Sequence, residues 1–357
     1  MLAVARSQDV WSDLHHSRDA GMSAVLPGAD TCPKGIHAAK FGIQAAMATR
    51  DIVVIGGSAG SIEAIQQILR GLPAELPAAV FVIVHLSPTV RSYMAHILAR
   101  GTGMMVSEAV DGDRIEHGRV YVAQPDRHLL IANDHIHLTR GPKEGLHRPS
   151  INVTFRSAAM TYGPRVIGIV LSGLLDDGAA GLWEIAAEGG TTIVQDPEEA
   201  PFPSMPLNAI EDAKVDFRLK AAEIGKVVTE LVNGKAEPPK GKAKGGQSAQ
   251  VQFMGFTCPE CRGPLYTQET GGPVEFRCRV GHVLSLKTLL DEESSMQERK
   301  LYEAIVALEE GADLADFASG KVSDQEADRL RREAKQLREY SAAIRQMIEN
   351  RVAEEMR

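Results

Sequence analysis

No stretch of this 357-residue chain is apolar for anything near the ~20 residues that a membrane-crossing helix needs, so a spanning segment is excluded. The N-terminus also lacks the basic start and following apolar block of a secretory signal, and the chain is therefore expected in the cytoplasm. Positive charge is not in excess. The 39 lysines and arginines against 47 aspartates and glutamates leave a formal charge of −8, which gives no electrostatic reason to expect nucleic acid as a partner. Cysteine is scarce, with four in all. Three of them, Cys258, Cys261 and Cys278, lie within 21 residues of one another while Cys32 stands alone, a pattern that suits a metal better than a disulfide framework. What the chain does have is a 44% hydrophobic share, enough for a substantial core, and the length for two domains or one domain with an appendage.

The stretch that organises the rest is Asp51 to Ala64. Ile52 to Ile55 is a short, continuous β-branched run of the kind found in strands buried on both faces. It stops at Gly56-Gly57, after which Glu63, Ala64, Ile65, Ile68 and Leu69 recur at helical spacing with Ser61 as a candidate N-cap. Ser58 sits at the apex of this strand-to-helix turn. Gly56-Gly57-Ser58-Ala59-Gly60 satisfies G-x-S-x-G, a strained elbow that leaves a serine hydroxyl projecting above the sheet. In such a turn the backbone N–H of Ala59, at the helix N-terminus, is placed to bind an oxyanion. A plain Gly-rich βα turn that cradles a phosphate, or does nothing chemical, fits the same residues, although a full G-x-G-x-x-G fingerprint is absent.

Residues 1–50 show no sustained period and read as disordered or as a ragged helix, with His15, His16 and Cys32 as solvated bystanders. Met47 would make an ordinary start to the domain that follows, and the residues before it read as an upstream extension. From Asp51 to about Leu231 strand-like and helix-like segments alternate, the pattern of a parallel sheet covered on both sides by helices. Val80 to Val84 is a strand followed at once by His85. A helix follows from about Arg91 to Arg100, then a strand at Val120 to Ala123 and a hairpin from Leu129 to Leu138 about Asn133-Asp134. Ile151 to Met160 is helical, Val166 to Leu171 is a third buried strand ending in Ser172-Gly173-Leu174-Leu175-Asp176-Asp177-Gly178, and Ala179 to Ala187 is a helix. Thr191 to Val194 and Ala221 to Val232 supply a last strand and a closing helix.

Ser58, His85 and Asp177 each fall just past the carboxyl end of an expected buried strand, where open α/β sheets gather their functional groups. Singly, His85 reads as a hydrogen-bonded loop residue and Asp177 as a turn or cap aspartate. Together with Ser58 they supply a nucleophile, an imidazole base and a carboxylate to orient it.

These motifs, in this order, resemble the catalytic domain of the chemotaxis protein-glutamate methylesterase (CheB) family. The resemblance runs from about Asp51 to Val232 and rests on Ile55 to Gly60, Val84-His85-Leu86, His147-Arg148-Pro149-Ser150-Ile151-Asn152, Leu171-Ser172-Gly173 with Asp177 to Gly181, and Pro203 to Pro206. It implies a doubly wound, mostly parallel α/β sheet with Ser58 as nucleophile, His85 as general base and then acid, and Asp177 as orienting carboxylate. Asp177 is preferred to Asp176 because it alone precedes the glycine. The second oxyanion donor then falls at the Leu174 backbone N–H. The implied reaction is hydrolysis of glutamate γ-methyl esters on chemoreceptor-type proteins through an acyl-enzyme, with no cofactor for catalysis, and with glutamine deamidation as related chemistry. Two positions depart from the family: Ala59 stands where threonine is common, and Leu175 replaces a glycine. The segment before Asp51 is short of an ordinary ~100-residue domain, so gating by a phosphorylated receiver in cis is not expected.

Gly234 to Gln250, with Pro238-Pro239, four lysines and Gly245-Gly246, is a linker by composition. Beyond it Cys258-Pro259-Glu260-Cys261, then Cys278 and His282, give a C-x2-C knuckle facing C-x3-H. This is the donor set of a closed structural Zn²⁺ ribbon. Leu286, Leu290, Leu301, Ala304, Ile305 and Leu308 outline one amphipathic helix, and Leu330, Ala334, Leu337, Ile344 and Ile348 a second, with Gly311 to Ser323 between them. The expected organisation is an extension at 1–50, a methylesterase-like domain at 51–232, a linker at 233–252, a zinc ribbon at 253–284, and a helical hairpin or coiled coil at 285–357. That hairpin is a candidate dimerisation or docking element, and two-component sensory proteins are candidate partners. A methylesterase fold kept as a receptor- or kinase-binding scaffold is the competing reading.

Overall fold

The computed structural model describes residues 50–88, 92–239, 251–268 and 271–355. His15, His16, Cys32, Met47 and the linker residues 240–250 lie outside them. The described residues form two compact units, one of 50–141 and 147–239, the other of 142–146 and 251–355. Among the described residues no helix is long and apolar enough to cross a membrane.

The first unit is built on strands β1 (Ile52–Gly57), β2 (Ala79–Val84), β3 (Met105–Glu108), β4 (Arg119–Val122), β7 (Val166–Val170), β8 (Thr191–Gln195) and β9 (Phe217–Leu219). The intervening β5 (His128–Ala132) and β6 (His135–Thr139) make a separate hairpin, whose Asn133 and Asp134 both take the positive φ (51° and 61°) of a tight two-residue turn. The seven strands lie in the order β3-β4-β2-β1-β7-β8-β9, every pair parallel. Helices α1 (Ser61–Arg70), α2 (Met94–Leu98), α3 (Ile151–Tyr162), α4 (Ala179–Ala187), α5 (Ser204–Asp212) and α6 (Ala221–Val232) connect and cover them.

Alternation along β1 explains the two-sided cover. Ile52 and Val54 pack with Phe81, Ile83, Phe155 and Leu182 on one face, while Val53 and Ile55 pack with Ile65, Ile68, Val82 and Val228 on the other. Each fully buried aliphatic side chain here contributes roughly 1.5–3 kcal/mol relative to exposure. The edge strands β3 and β9 carry no such signal, being short and largely exposed or half-buried, and the sequence reading passes over both.

Register fixes the carboxyl edge. Gly57 is paired with Val84 across β1 and β2, so Ser58 and His85 follow on the next rung. On the other side Gly56 pairs with Val170, and the Ser58 N–H extends that ladder by donating to Ser172 O at 2.9 Å. Gly56 is required by packing, because a Cβ there would lie 2.3 Å from Ile151 Cγ2 at the start of α3.

The second unit contains an antiparallel sheet of β10 (Val251–Thr257), β11 (Pro264–Gln268), β12 (Glu275–Cys278) and β13 (Val283–Ser285), and two long helices, α7 (Leu286–Ser319) and α8 (Asp324–Glu355). Pro142–Leu146 belongs to this unit, with the Gly145 N–H donating to Val283 O at 2.8 Å and Lys143 bonded to Glu260 at 3.0 Å. The Ser285 hydroxyl caps α7 by accepting from the Thr288 N–H. The helix runs unbroken through Gly311, so the expected break from Gly311 to Ser323 shrinks to four residues. Gly311 persists in the helix because it faces its neighbour: a Cβ there would touch Leu337 at 3.3 Å. Ala312, Ala315 and Ala334 are buried between the helices with Leu330 and Leu337 packed against them, whereas Leu286 and Leu290 are exposed. Arg338 reaches Asp313 and Asp316, and Arg345 reaches Glu309.

Candidate active site

The sheet delivers three side chains from three adjacent strands, β2, β1 and β7, to one place. His85 Nδ1 lies 3.1 Å from Ser58 Oγ and His85 Nε2 lies 2.7 Å from Asp177 Oδ2. Residues 27 and 92 positions apart are thus joined in a single hydrogen-bonded chain. The imidazole is almost enclosed, and Asp177 is buried. Asp177, not Asp176, meets the imidazole. For Ser58 to donate to Nδ1 the ring must carry its proton on Nε2 and give it to Asp177, which is the tautomer a general base needs.

The turn itself differs from a strained elbow in one respect. The left-handed residue is Gly60 (φ 72°), not Ser58, and Gly60 rather than Ser61 is the N-cap of α1. Ser61 is the first helical residue, and its hydroxyl donates to Ser58 O at 2.7 Å. A Cβ on Gly57 would fall 2.5 Å from Ser61, so the double glycine serves this close return of the chain.

Asp177 is held by the N-terminus of α3. Its Oδ2 accepts from the Ile151 N–H at 2.7 Å, and its Oδ1 accepts from the Asn152 N–H and the Ser150 hydroxyl, both at 3.0 Å. The carboxylate therefore caps, from another segment, a helix whose own N-cap residue Ser150 makes no side-chain cap bond. Burial pushes the Asp177 carboxyl up. The His85 hydrogen bond and charge, the charge of His147 and the Ile151 N–H outweigh that, and it settles at about 2. Asn152 locks the other side of the loop, its Oδ1 accepting from the Gly178 and Gly181 N–H groups at 3.0 and 2.8 Å. The sequence marks Ser150 and Asn152 only as members of the His147–Asn152 motif, and their hydrogen-bonding roles are not legible there.

Comparison with known proteins places this arrangement. Residues 53–228 match the family model described as CheB methylesterase. A candidate protein-glutamate methylesterase/protein-glutamine glutaminase of Leptospira interrogans is 36% identical over 182 residues, which are 51% of this chain and 94% of that protein. The chain belongs to the CheB methylesterase family. A protein-glutamate methylesterase/protein-glutamine glutaminase 2 of Methanosarcina mazei is 34% identical over 208 residues, 56% of this chain and 57% of that protein. The chain thus spans little more than half the length of such relatives. The crystal structure of the Thermotoga maritima CheB methylesterase catalytic domain is 33% identical, with 51% of this chain and 98% of that chain covered and a TM-score of 0.49.

Within this CheB-type site the two sequence departures have physical settings. Leu175 has φ 59°, a conformation that a glycine adopts without penalty and that costs an L-residue roughly 1–2 kcal/mol. It is pinned there by its carbonyl, which accepts from Asn208 Nδ2 at 2.7 Å and from the Ser204 hydroxyl at 3.2 Å. Ala59 is half-buried, and its carbonyl accepts from Ser172 Oγ at 2.8 Å. Leu174 is exposed and follows Gly173, where an added Cβ would come within 2.8 Å of Ser58 Cβ and 2.0 Å of Met205 Sδ. The loop that carries Leu174 therefore packs directly against Ser58.

In the second unit Cys258, Cys261, Cys278 and His282 converge, with all four potential ligand atoms within 4.8 Å of one another. Cys261 and Cys278 sulfurs are 3.6 Å apart, and His282 Nδ1 lies 3.7 and 3.5 Å from the sulfurs of Cys258 and Cys278. A tetrahedron with bonds of about 2.3 Å to sulfur and 2.0–2.1 Å to nitrogen has edges of about 3.8 and 3.5 Å, so the group is the right size for one metal ion.

Proposed function

We propose that this chain is a protein-glutamate methylesterase that hydrolyses γ-glutamyl methyl esters on chemoreceptor-type proteins in the cytoplasm. The observation that carries the reading is the continuous Ser58–His85–Asp177 hydrogen-bond chain at the carboxyl edge of the sheet. In the proposed reaction His85 Nδ1 takes the Ser58 proton as Oγ attacks the ester carbonyl carbon, and Asp177 stabilises the imidazolium that results. The Ala59 and Leu174 N–H groups receive the developing oxyanion. Collapse breaks the carbon–oxygen bond to the methoxy group, which leaves as methanol with the proton from His85. His85 then deprotonates a water that attacks the acyl-enzyme, releasing glutamate and restoring Ser58. A glutamine side chain enters the same cycle: the carbon–nitrogen bond breaks, its amide nitrogen leaves as ammonia with the proton from His85, and the acyl-enzyme is again hydrolysed to glutamate.

The three cysteines and His282 are assigned a structural Zn²⁺, a closed set of four that offers no open position for chemistry. The hairpin of α7 and α8, which leaves Leu314, Phe317 and Met347 exposed, is assigned to docking or dimerisation, with two-component sensory proteins as the partner class.

The test is methanol release from methylated receptor membranes together with labelling by a serine-directed fluorophosphonate. Wild type should release methanol and be labelled at Ser58, and Ser58→Ala should do neither. Full methanol release by the mutant would defeat the assignment.

A further inference from the structure

A second histidine stands against the imidazole of His85. His147 lies face to face with His85, with ring centroids 3.6 Å apart and planes within 13°. Both nitrogens of His85 are already engaged, one at Ser58 and the other at Asp177, so His147 meets the base through its π-face and not at a nitrogen.

Two edge hydrogen bonds leave a ring one freedom. They define an axis from Ser58 Oγ to Asp177 Oδ2, and tilting about that axis costs little until the Nδ1 lone pair leaves the line of the serine proton. A parallel ring in van der Waals contact on one face opposes that tilt.

The stacking partner is itself braced. Arg148, the next residue, donates from Nε to Asp126 at 2.9 Å and from Nη1 to Gly141 O at 2.8 Å. Three residues further on, the chain enters α3, whose first N–H groups grip Asp177. One short segment, 147–152, therefore supports the base from its face and the carboxylate from its far side.

We propose that His147 is a positioning residue for the esterase reaction, holding the His85 ring in the plane that joins Ser58 to Asp177. The proposal rests on the esterase reading above.

The experiment compares full-length wild type with His147→Ala, His147→Gln and His147→Phe. It measures kcat and KM for methanol release from methylated receptor membranes, the rate of fluorophosphonate labelling at Ser58, and the melting temperature. Removing the ring should lower kcat and the labelling rate roughly tenfold or more with KM unchanged, in both the Ala and the Gln variants. Phe restores an aromatic face without a titratable nitrogen and should recover most of both rates. A folded Ala or Gln variant with wild-type kcat overturns the proposal, as does a Phe variant as slow as Ala. If Ala melts early, the comparison of Gln with Phe decides. Wild type that is neither labelled nor active would instead defeat the esterase reading, which keeps the two failures apart.

Discussion

Replacing Asp177 by Asn tests the site through both stability and rate. The carboxylate accepts from four donors, His85 Nε2, the Ser150 hydroxyl and the Ile151 and Asn152 N–H groups. An amide in the same place has one acceptor oxygen. Whichever way it is turned, its NH2 faces one of the two backbone N–H groups, leaving a buried donor unpaired at about 1–3 kcal/mol. Titration gives a second measure. The carboxyl sits at about 2 in the folded protein against 3.8 ordinarily, and at about 1.36 kcal/mol per unit this corresponds to about 2 kcal/mol of stability. Because the folded value is the lower one, this contribution is complete above about pH 4 and is lost as the pH falls toward 2. Unfolding by urea at fixed pH values from 6 to 2 should show it. Trp183, buried in α4, is a suitable fluorophore once Trp11, the other tryptophan, is changed to Phe. Wild type should lose about 2 kcal/mol more than Asp177→Asn between pH 4 and pH 2. The rate should fall roughly 10³–10⁴-fold, since an amide NH2 turned toward Nε2 forces the imidazole proton onto Nδ1 and removes the lone pair that receives the Ser58 proton. Parallel acid curves for the two proteins, or a mutant within tenfold of wild-type kcat, would refute the reasoning.

Asn152→Ala removes the acceptor for two buried N–H groups, those of Gly178 and Gly181, and should cost about 2–4 kcal/mol in denaturant unfolding while lowering kcat through a looser Asp177 loop. Elemental analysis of the purified protein should give one zinc per chain, falling to none in Cys278→Ser. A strong chelator should expose the β10–β13 segment to protease, because so small a sheet has little other core; a metal-free wild type with unchanged protease resistance would count against the structural assignment.

The parts of the molecule that could be read from the sequence are those where one residue type satisfies one demand. β1, β2 and β7 declare themselves through uninterrupted β-branched runs that must be buried on both faces, and the side chains that follow them inherit a known edge. The β5–β6 turn shows in Asn133-Asp134, which tolerate positive φ. What escaped reading depends on distant partners. Ser150 and Asn152 have no local signature as carboxylate and loop anchors, because their roles exist only once α3 is laid beside the 173–178 loop. His147 stands out only as part of the His147–Asn152 motif, and nothing local shows that its ring lies against His85. The edge strands β3 and β9 lack a buried face to impose a pattern, and Gly311 suggested a helix end where close approach of a second helix was the actual demand.

The pairing of Gly57 with Val84 separates the changes this architecture can absorb from those it cannot. Lengthening any of the surface connections between residues 86 and 146 leaves the ladder of β1 and β2 untouched, and so leaves serine and imidazole neighbours. Adding or deleting a single residue inside either strand would turn every later side chain to the opposite side of the sheet and carry one partner of the pair away from the other. Changes of length are therefore tolerable at the periphery, and the count of residues in two six-residue strands is what keeps Ser58 and His85 side by side.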